Sequence, residues 1–405
     1  MQNEVRSTKH EARSTRHLFI LLFLLFSFFE RVEAQTISES AQFSILTVGV
    51  GEELYSAYGH SALRIKDLTN KVDIVFNWGT FNFNTPNFYM KFARGKLDYL
   101  MAAETFESFI VQMQYEERPV FEQVVNLSYN ERKKLFDLVV LNFQPENRSY
   151  KYDFLFDNCA TRIRDLILRT IDNKYFVDSA KSNEIVSFRQ LNIISLNDKP
   201  WIQAGIDLML GMKADDNAGF YYGMYLPDYM HGSFNAIYRT DSTRLVSSDN
   251  LVFDLDQKKL HRPWFTPFVL FIIIAFLMIL AFPISQKIAF WADGIFFTIL
   301  GLVGVLIGFM WFVSEHIACD QNLNLLWALP FNAFYFLWVL NKKISKYYFS
   351  IVASLAILFL LSMPFLPQKI SITFVPLIVL VAARALNRAF ETDNKLVALF
   401  IKRNK

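Results

Sequence analysis

The stretch His60-Ser61-Ala62-Leu63-Arg64-Ile65-Lys66, then Asp67-Leu68-Thr69-Asn70, then Lys71-Val72-Asp73-Ile74-Val75-Phe76-Asn77-Trp78, decides how this chain is read. Two runs rich in apolar and β-branched residues flank a cluster of turn formers, the pattern of a β-hairpin. If Lys66 faces Lys71 across the turn, His60 faces Asn77 directly. Cross-strand partners stand on one face with Cβ atoms about 5 Å apart, so an amide side chain would lie beside the imidazole. A slip of one residue would turn Asn77 to the other face. The register is therefore a chemical statement as well as a topological one.

Around the hairpin, 44–50 reads as a strand, 105–116 as a helix and 119–127 as another strand. Ser128-Tyr129-Asn130-Glu131 is a capping box that opens a further helix. Residues 35–262 are enough for one α+β domain. Past a polar loop comes Asp157-Asn158-Cys159-Ala160-Thr161, after which Ile163, Leu166, Ile167 and Ile171 recur at helical spacing. Asp157 or Asn158 caps that helix and leaves Cys159 in its first turn.

Two readings of Cys159 compete. It is either a small apolar residue at a helix–sheet contact, or a thiol activated by its place. A helix start and a neighbouring imidazolium both lower a thiol's pKa, and N–H groups at that terminus can hold an oxyanion. A thiolate (Cys159), an imidazole (His60) and an orienting amide (Asn77) make a complete acyl-transfer set.

Composition sets the address. The length of 405 residues allows two or three units. Of these residues 53% are apolar, crowded at the start and after Trp264. A net charge of +3, without a basic stripe interleaved with aromatics, speaks against a nucleic-acid partner. Lys9, Arg13 and Arg16 precede an apolar core from Leu18 to Phe29, and Val32-Glu33-Ala34 supplies a small residue before a cleavage point. Residues 1–34 thus read as a secretory signal peptide, the alternative being an uncleaved anchor. Only Cys159 and Cys319 are present, too few for a disulfide framework. A thiol kept free in an oxidising compartment calls for a chemical reason.

From Trp264 onward, apolar stretches near 264–283, 290–314, 323–341, 346–366 and 370–387 approach the roughly 20 residues a bilayer core requires. Residues 263–390 read as an all-α bundle of about five transmembrane helices, with Pro376 kinking the last, and 391–405 as a basic cytoplasmic tail. With the soluble domain outside, ten Lys and Arg residues fall on inner segments and four on outer ones, the expected positive-inside bias. The outer loop from Ser314 to Asn324 concentrates His316, Cys319, Asp320 and Asn322. Polar groups at a membrane edge are functional candidates, so His316, Asp320 and Asn322, with Tyr58 beside His60, are candidate substrate contacts. A solvated turn capping the next helix is the competing reading. Three donors in one loop are a weak metal signal, and neither a metal nor a cofactor is expected.

The Gly59-His60-Ser61-Ala62-Leu63-Arg64 strand, the Asn77-Trp78-Gly79 strand and the Asp157-Asn158-Cys159-Ala160-Thr161 helix start resemble the Lnb-type lipoprotein N-acyltransferases. In that family a periplasmic domain precedes a C-terminal membrane domain, and the resemblance covers nearly the whole mature chain. It implies a permuted papain-like fold related to NlpC/P60 domains, with histidine before cysteine. It also implies a bacterial inner-membrane location, a phospholipid acyl donor and diacylated lipoproteins as acceptors. Cys159 would carry over as nucleophile and His60 as base, whereas Asn77 rests on the register. Two alternatives stand beside it: an NlpC/P60-like cell-wall peptidase or amidase, and a non-enzymatic membrane assembly factor.

Overall fold

A computed structural model describes residues 36–254 and 263–390. The expected signal peptide 1–34, the positive charges at 258–262 and the expected basic tail 391–405 lie outside the described residues. Among the described residues the N-terminal part carries nine strands: β1 (Gln42–Val48), β2 (His60–Asp67), β3 (Val72–Thr80), β4 (Asp98–Thr105), β5 (Val120–Val125), β6 (Ser149–Lys151), β7 (Tyr175–Val177), β8 (Ile237–Arg239) and β9 (Val246–Phe253). Seven make one antiparallel sheet in the order β6-β4-β3-β2-β1-β5-β9, and β7 pairs with β8 apart from it. The helices that matter for the site are α1 (Phe88–Ala93), α2 (Phe106–Tyr115), α3 (Tyr129–Phe143), α4 (Cys159–Thr170) and α5 (Pro200–Met209).

The expected hairpin is present, with its turn displaced by one residue. Asp67 faces Val72, so Ala62 rather than His60 lies opposite Asn77. Asp67 stays in the strand as an anchor: its carboxylate accepts hydrogen bonds from the N–H and hydroxyl of Ser38 and from the N–H and amide of Asn70. Lys71 then closes the turn in the left-handed region, with φ 55°. Moving the turn by one residue shifts the pairing by two, an even number, so Asn77 keeps the face expected of it.

Strand alternation divides the burial. Leu63, Ile65, Phe76 and Trp78 share a core with Leu135 and Val139 of α3 and with Ile163 and Ile167 of α4. On the other face Leu46, Val48, Ala62 and Val75 meet Phe109 and Met113 of α2. Each large apolar side chain so buried contributes about 1.5–3 kcal/mol. The Ser128–Glu131 capping box opens α3 as the sequence predicts.

The C-terminal part contains α6 (Pro267–Ile284), α7 (Gln286–Phe312), α8 (Lys342–Ser362) and α9 (Val375–Phe390). Among the described residues three helical stretches, Gln286–Phe312, Lys342–Phe365 and Ile372–Phe390, are long and apolar enough to cross a membrane, while Pro267–Leu280 is apolar but shorter. The stretch 323–341, expected as a helical span, is instead broken into turns: Leu323–Leu326, Pro330–Phe334 and Tyr335–Trp338. Four glycines explain its course. Gly308, Gly304, Gly301 and Gly294 of α7 lie against Leu325, Ala328, Ala333 and Phe336 in turn, so the segment runs antiparallel along α7. A Cβ at Gly301 or Gly304 would sit 1.9 Å from its backbone. Irregular backbone at membrane depth is tolerated where protein surrounds it, and Trp327, Ala328 and Tyr335 are buried. Pro376 occupies the first turn of α9 rather than mid-span, where its missing N–H breaks no helical bond.

Candidate active site

Asn158 builds the start of α4. Its side-chain oxygen accepts from the N–H groups of Ala160 (2.9 Å) and Thr161 (3.0 Å), and the Thr161 hydroxyl accepts from the Asn158 N–H at 2.7 Å. Its amide donates to the carbonyls of Phe154 and Tyr225, both at 2.9 Å. Upstream, Asp153 and Asp157 exchange backbone hydrogen bonds and Asp157 pairs with Arg162. These bonds fix a tight elbow, and Cys159 is the first residue past it. The apolar Ile163 and Ile167 hold the helix to the sheet, aiming its positive end at the start of β2.

His60 is the first residue of β2. Its Nε2 lies 3.0 Å from Oδ1 of Asn77. The Asn77 amide in turn donates to Glu104 Oε1 at 3.0 Å, and Glu104 Oε2 accepts from the Ser108 hydroxyl. A carboxylate only accepts, so Glu104 fixes which way the Asn77 amide points. Asn77 Oδ1 likewise only accepts, so His60 Nε2 carries the hydrogen and Nδ1 is left for the thiol. The groups acting on the Cys159 sulfur include the His60 imidazole and the backbone N–H groups of Ser61 and Ala160. The β2–β3 ladder ends at Ala62–Asn77, one residue short of Ser61.

The electrostatics follow from this packing. Burial alone would raise the Cys159 thiol. The imidazole's charge, its hydrogen bond and the two N–H donors outweigh burial and hold the pKa below the ordinary value. Burial would lower His60, but the sulfur's charge and the hydrogen bonds His60 donates to Cys159 and Asn77 prevail over burial and over the opposing Arg118, leaving His60 raised. Both directions favour a thiolate–imidazolium pair. Cys319 goes the other way: burial, then Asp320 and Asp153, push it up to about 12. Both cysteines are free, and Cys159 is the half-buried one.

Cys159, His60 and Asn77 are thus brought together as expected. The remaining candidates have other occupations. Tyr58 packs its ring 5.0 Å from that of Phe154, beneath the elbow, and burial followed by Asp207 raises its phenol. Asn322 is fully buried, donating to the carbonyls of Leu208 and Met209 and accepting from the N–H of Asn324 and the amide of Gln368. With both polar atoms of its side chain committed and no exposed surface, Asn322 fastens α5 to the membrane part. Asp320 presents its carbonyl 1.8 Å from where a Cβ at Gly211 would stand. His316 Nε2 bonds the Phe92 carbonyl at 3.0 Å. The described bonds of this loop therefore run to α1 and the residues just after it, to the 208–212 segment and to Gln368, and Ala318 shares a core with Leu155 of the elbow. Among the described residues no group of three His, Cys, Asp or Glu side chains converges on a metal position.

Sequence reasoning missed Glu104, the Ser61 N–H and Tyr152. Glu104 pairs with Val75 across β3–β4, which makes it a diagonal neighbour of Asn77, information available only once that pairing is known. Tyr152 lies 3.9 Å from where a Cβ at Gly79 would stand, two residues past Asn77, and the Cys159 charge helps burial raise its phenol. The alternation Tyr150-Lys151-Tyr152 before the elbow was its one signal.

Comparison with family models finds two matches: the Lnb N-terminal periplasmic domain over residues 28–221 and the Lnb transmembrane domain over 256–395. No curated protein and no solved structure matches the chain. The two matched regions cover most of the sequence, in the order that the α+β sheet domain and the apolar helices take in the fold. The chain therefore belongs to the Lnb family of lipoprotein N-acyltransferase-like membrane proteins, an inner-membrane protein with its sheet domain in the periplasm.

Proposed function

We propose that the protein moves a fatty acyl group from a phospholipid to the α-amine of a diacylglyceryl-cysteine lipoprotein through a thioester on Cys159. The observation that carries this reading is the Cys159–His60–Asn77 arrangement at a capped helix start, in a domain fastened to membrane-spanning helices. The Cys159 thiolate attacks the ester carbonyl of the donor, forming a C–S bond. As the C–O bond breaks, the His60 imidazolium gives its proton to the departing glycerol oxygen and a lysophospholipid leaves. The Cys159 N–H, at the first helical position where no intrahelical carbonyl reaches it, faces the developing oxyanion. The lipoprotein amine then attacks the thioester. With a reference pKa of about 7.7–8.0, that amine is substantially neutral near pH 8. His60 takes its proton, an amide forms and the thiolate is regenerated.

A permuted papain-like arrangement fits the order of histidine strand before cysteine helix, and the segment along α7 serves as a fifth, irregular pass. The membrane part confines the enzyme to the plane of both lipid substrates. The test is mass spectrometry of the Cys159 peptide after acid quench in phospholipid proteoliposomes, together with the N-termini of lipoproteins in cells lacking the protein. A hydroxylamine-labile acyl group on Cys159 and loss of N-acylation are expected. Unacylated Cys159 with intact lipoprotein N-termini would point to hydrolysis of cell-wall peptides instead.

A further inference from the structure

Helix α1 carries an apolar surface with no role in the sheet core. Tyr89, Met90 and Phe92 are 80%, 58% and 49% exposed, and Phe83 stands out beside them at 67%. Its backbone is tied to the periplasmic end of α7. The Phe92 carbonyl accepts from His316, the Arg94 carbonyl accepts from the Glu315 N–H at 2.9 Å, and Lys96 pairs with Glu315 at 3.0 Å. Glu315 follows Phe312 and Val313, themselves exposed at the end of the span. The apolar side of α1 is thus held beside the periplasmic end of α7, at the level of the bilayer interface, where aromatic side chains settle.

From this surface an unbroken series of rings leads to the thiol. Phe92 stacks on Phe88 at 6.3 Å, Phe88 meets Phe81 at 5.7 Å, Phe81 meets Tyr99 at 5.5 Å, and Tyr99 stacks on Tyr152 at 4.5 Å. Tyr152 covers Gly79, next to the Asn77 that holds His60. Phe81, Phe88 and Tyr152 are half-buried and keep a free face, while Tyr99, between Phe81 and Tyr152, is buried against both rings.

We propose that α1 and Phe83 dip into the outer leaflet of the inner membrane, and that the strip Phe88–Phe81–Tyr99–Tyr152 carries the donor's acyl chain from that leaflet to Cys159. The second half rests on the acyl-transfer reading above; the first does not. An acyl chain leaving the bilayer would otherwise cross water, at about 0.8 kcal/mol for each exposed methylene. An apolar strip with the free faces of Phe88, Phe81 and Tyr152 lowers that barrier.

Two measurements test it on the full chain in proteoliposomes. In a Cys159→Ser, Cys319→Ala background, nitroxide labels at Met90→Cys and, as a control in the far turn of the hairpin, Leu68→Cys are probed by collision with oxygen and with a water-soluble nickel chelate. The label at position 90 is expected to favour oxygen and the label at 68 the chelate. Preference for the chelate at both positions overturns membrane insertion. In an otherwise unaltered chain, Tyr89→Ser/Met90→Ser/Phe92→Ser is compared with the parent for Cys159 acylation by vesicle phospholipid and by p-nitrophenyl acetate. The phospholipid-to-acetate rate ratio is expected to fall by at least about tenfold, the loss of three interfacial anchors. A ratio within twofold of the parent overturns the acyl route. Failure of the unaltered chain to acylate Cys159 from either donor sinks the acyl-transfer reading instead, while the label at position 90 still decides insertion.

Discussion

Replacing Asn77 with alanine tests the site with the least disturbance to the fold. Asn77 accepts the His60 Nε2–H and donates to Glu104, so Asn77→Ala frees both the imidazole and the carboxylate. A hydrogen bond to a charged group contributes about 1.5–3 kcal/mol, which at 1.36 kcal/mol per tenfold in rate predicts a fall in Cys159 acylation of about 10- to 150-fold. The pH dependence is more diagnostic. Activity needs thiolate and imidazolium together, so it is bounded at low pH by protonation of Cys159 and at high pH by deprotonation of His60. Asn77 helps hold His60 above its ordinary value against burial. Its loss lowers His60 and moves the alkaline limit to lower pH. The thiol, partly deprived of its imidazolium, also keeps its proton to higher pH, so the acid limit rises and the window narrows from both sides. Both limits are macroscopic properties of the pair. The rate of Cys159 alkylation by iodoacetamide across pH reads the thiolate directly, without the natural substrate. Asn77→Asp alone sets two carboxylates against each other at the Glu104 contact, whereas Asn77→Asp/Glu104→Gln restores a neutral partner and should recover the alkaline limit. An alkylation profile for Asn77→Ala that superimposes on the parent's would refute the orienting role.

Further outcomes follow from the same geometry. Cys159→Ser and His60→Ala should each abolish acyl-enzyme formation, by more than about a thousandfold, while leaving thermal unfolding of the detergent-solubilised protein nearly unchanged; a residual rate within tenfold would remove these residues from the chemistry. Gly211→Ala would drive a Cβ to 1.8 Å from the Asp320 carbonyl, whereas Gly205 in α5 has nothing within 4 Å. Calorimetry should therefore find Gly211→Ala strongly destabilising and Gly205→Ala neutral to stabilising by about 0.5–1 kcal/mol. In the membrane part, Asp293 bonds Arg384 at 2.6 and 2.8 Å and Arg388 at 2.7 Å, all three side chains buried. Breaking such a group by Asp293→Asn should cost about 3–5 kcal/mol, read as a lowered thermal midpoint in detergent.

Local signals were legible because they depend on a few neighbouring residues. The capping box at Ser128, the cap before Cys159 and the alternation of the two hairpin strands are set by backbone groups within a turn or two, and each formed where the sequence placed it. The exact pairing was not legible, because Asp67 had to be seen bonding Ser38, nearly thirty positions away, before the turn could be assigned. That Asn77 still met His60 reflects the period of two in a strand, under which an even shift preserves the face.

Composition likewise identified an apolar half but not its geometry. The stretch 323–341 has the apolarity of a span, yet apolarity states only where backbone is shielded from water, and any path buried against protein satisfies it. Gly304 and Gly301 on α7, 24 and 32 residues earlier, let Ala328 and Ala333 come close enough for an irregular course. By itself the sequence singled out Cys159, His60 and Asn77 as one candidate site and determined on which side of the membrane their domain stands. Only the tertiary structure decided that Glu104 orients Asn77, that Ser61 supports the sulfur, and that the polar loop at Asn322 is a joint. Each of these depends on a polar group from a distant part of the chain finding its partner inside a low-dielectric interior, where an unpaired group is too costly to leave.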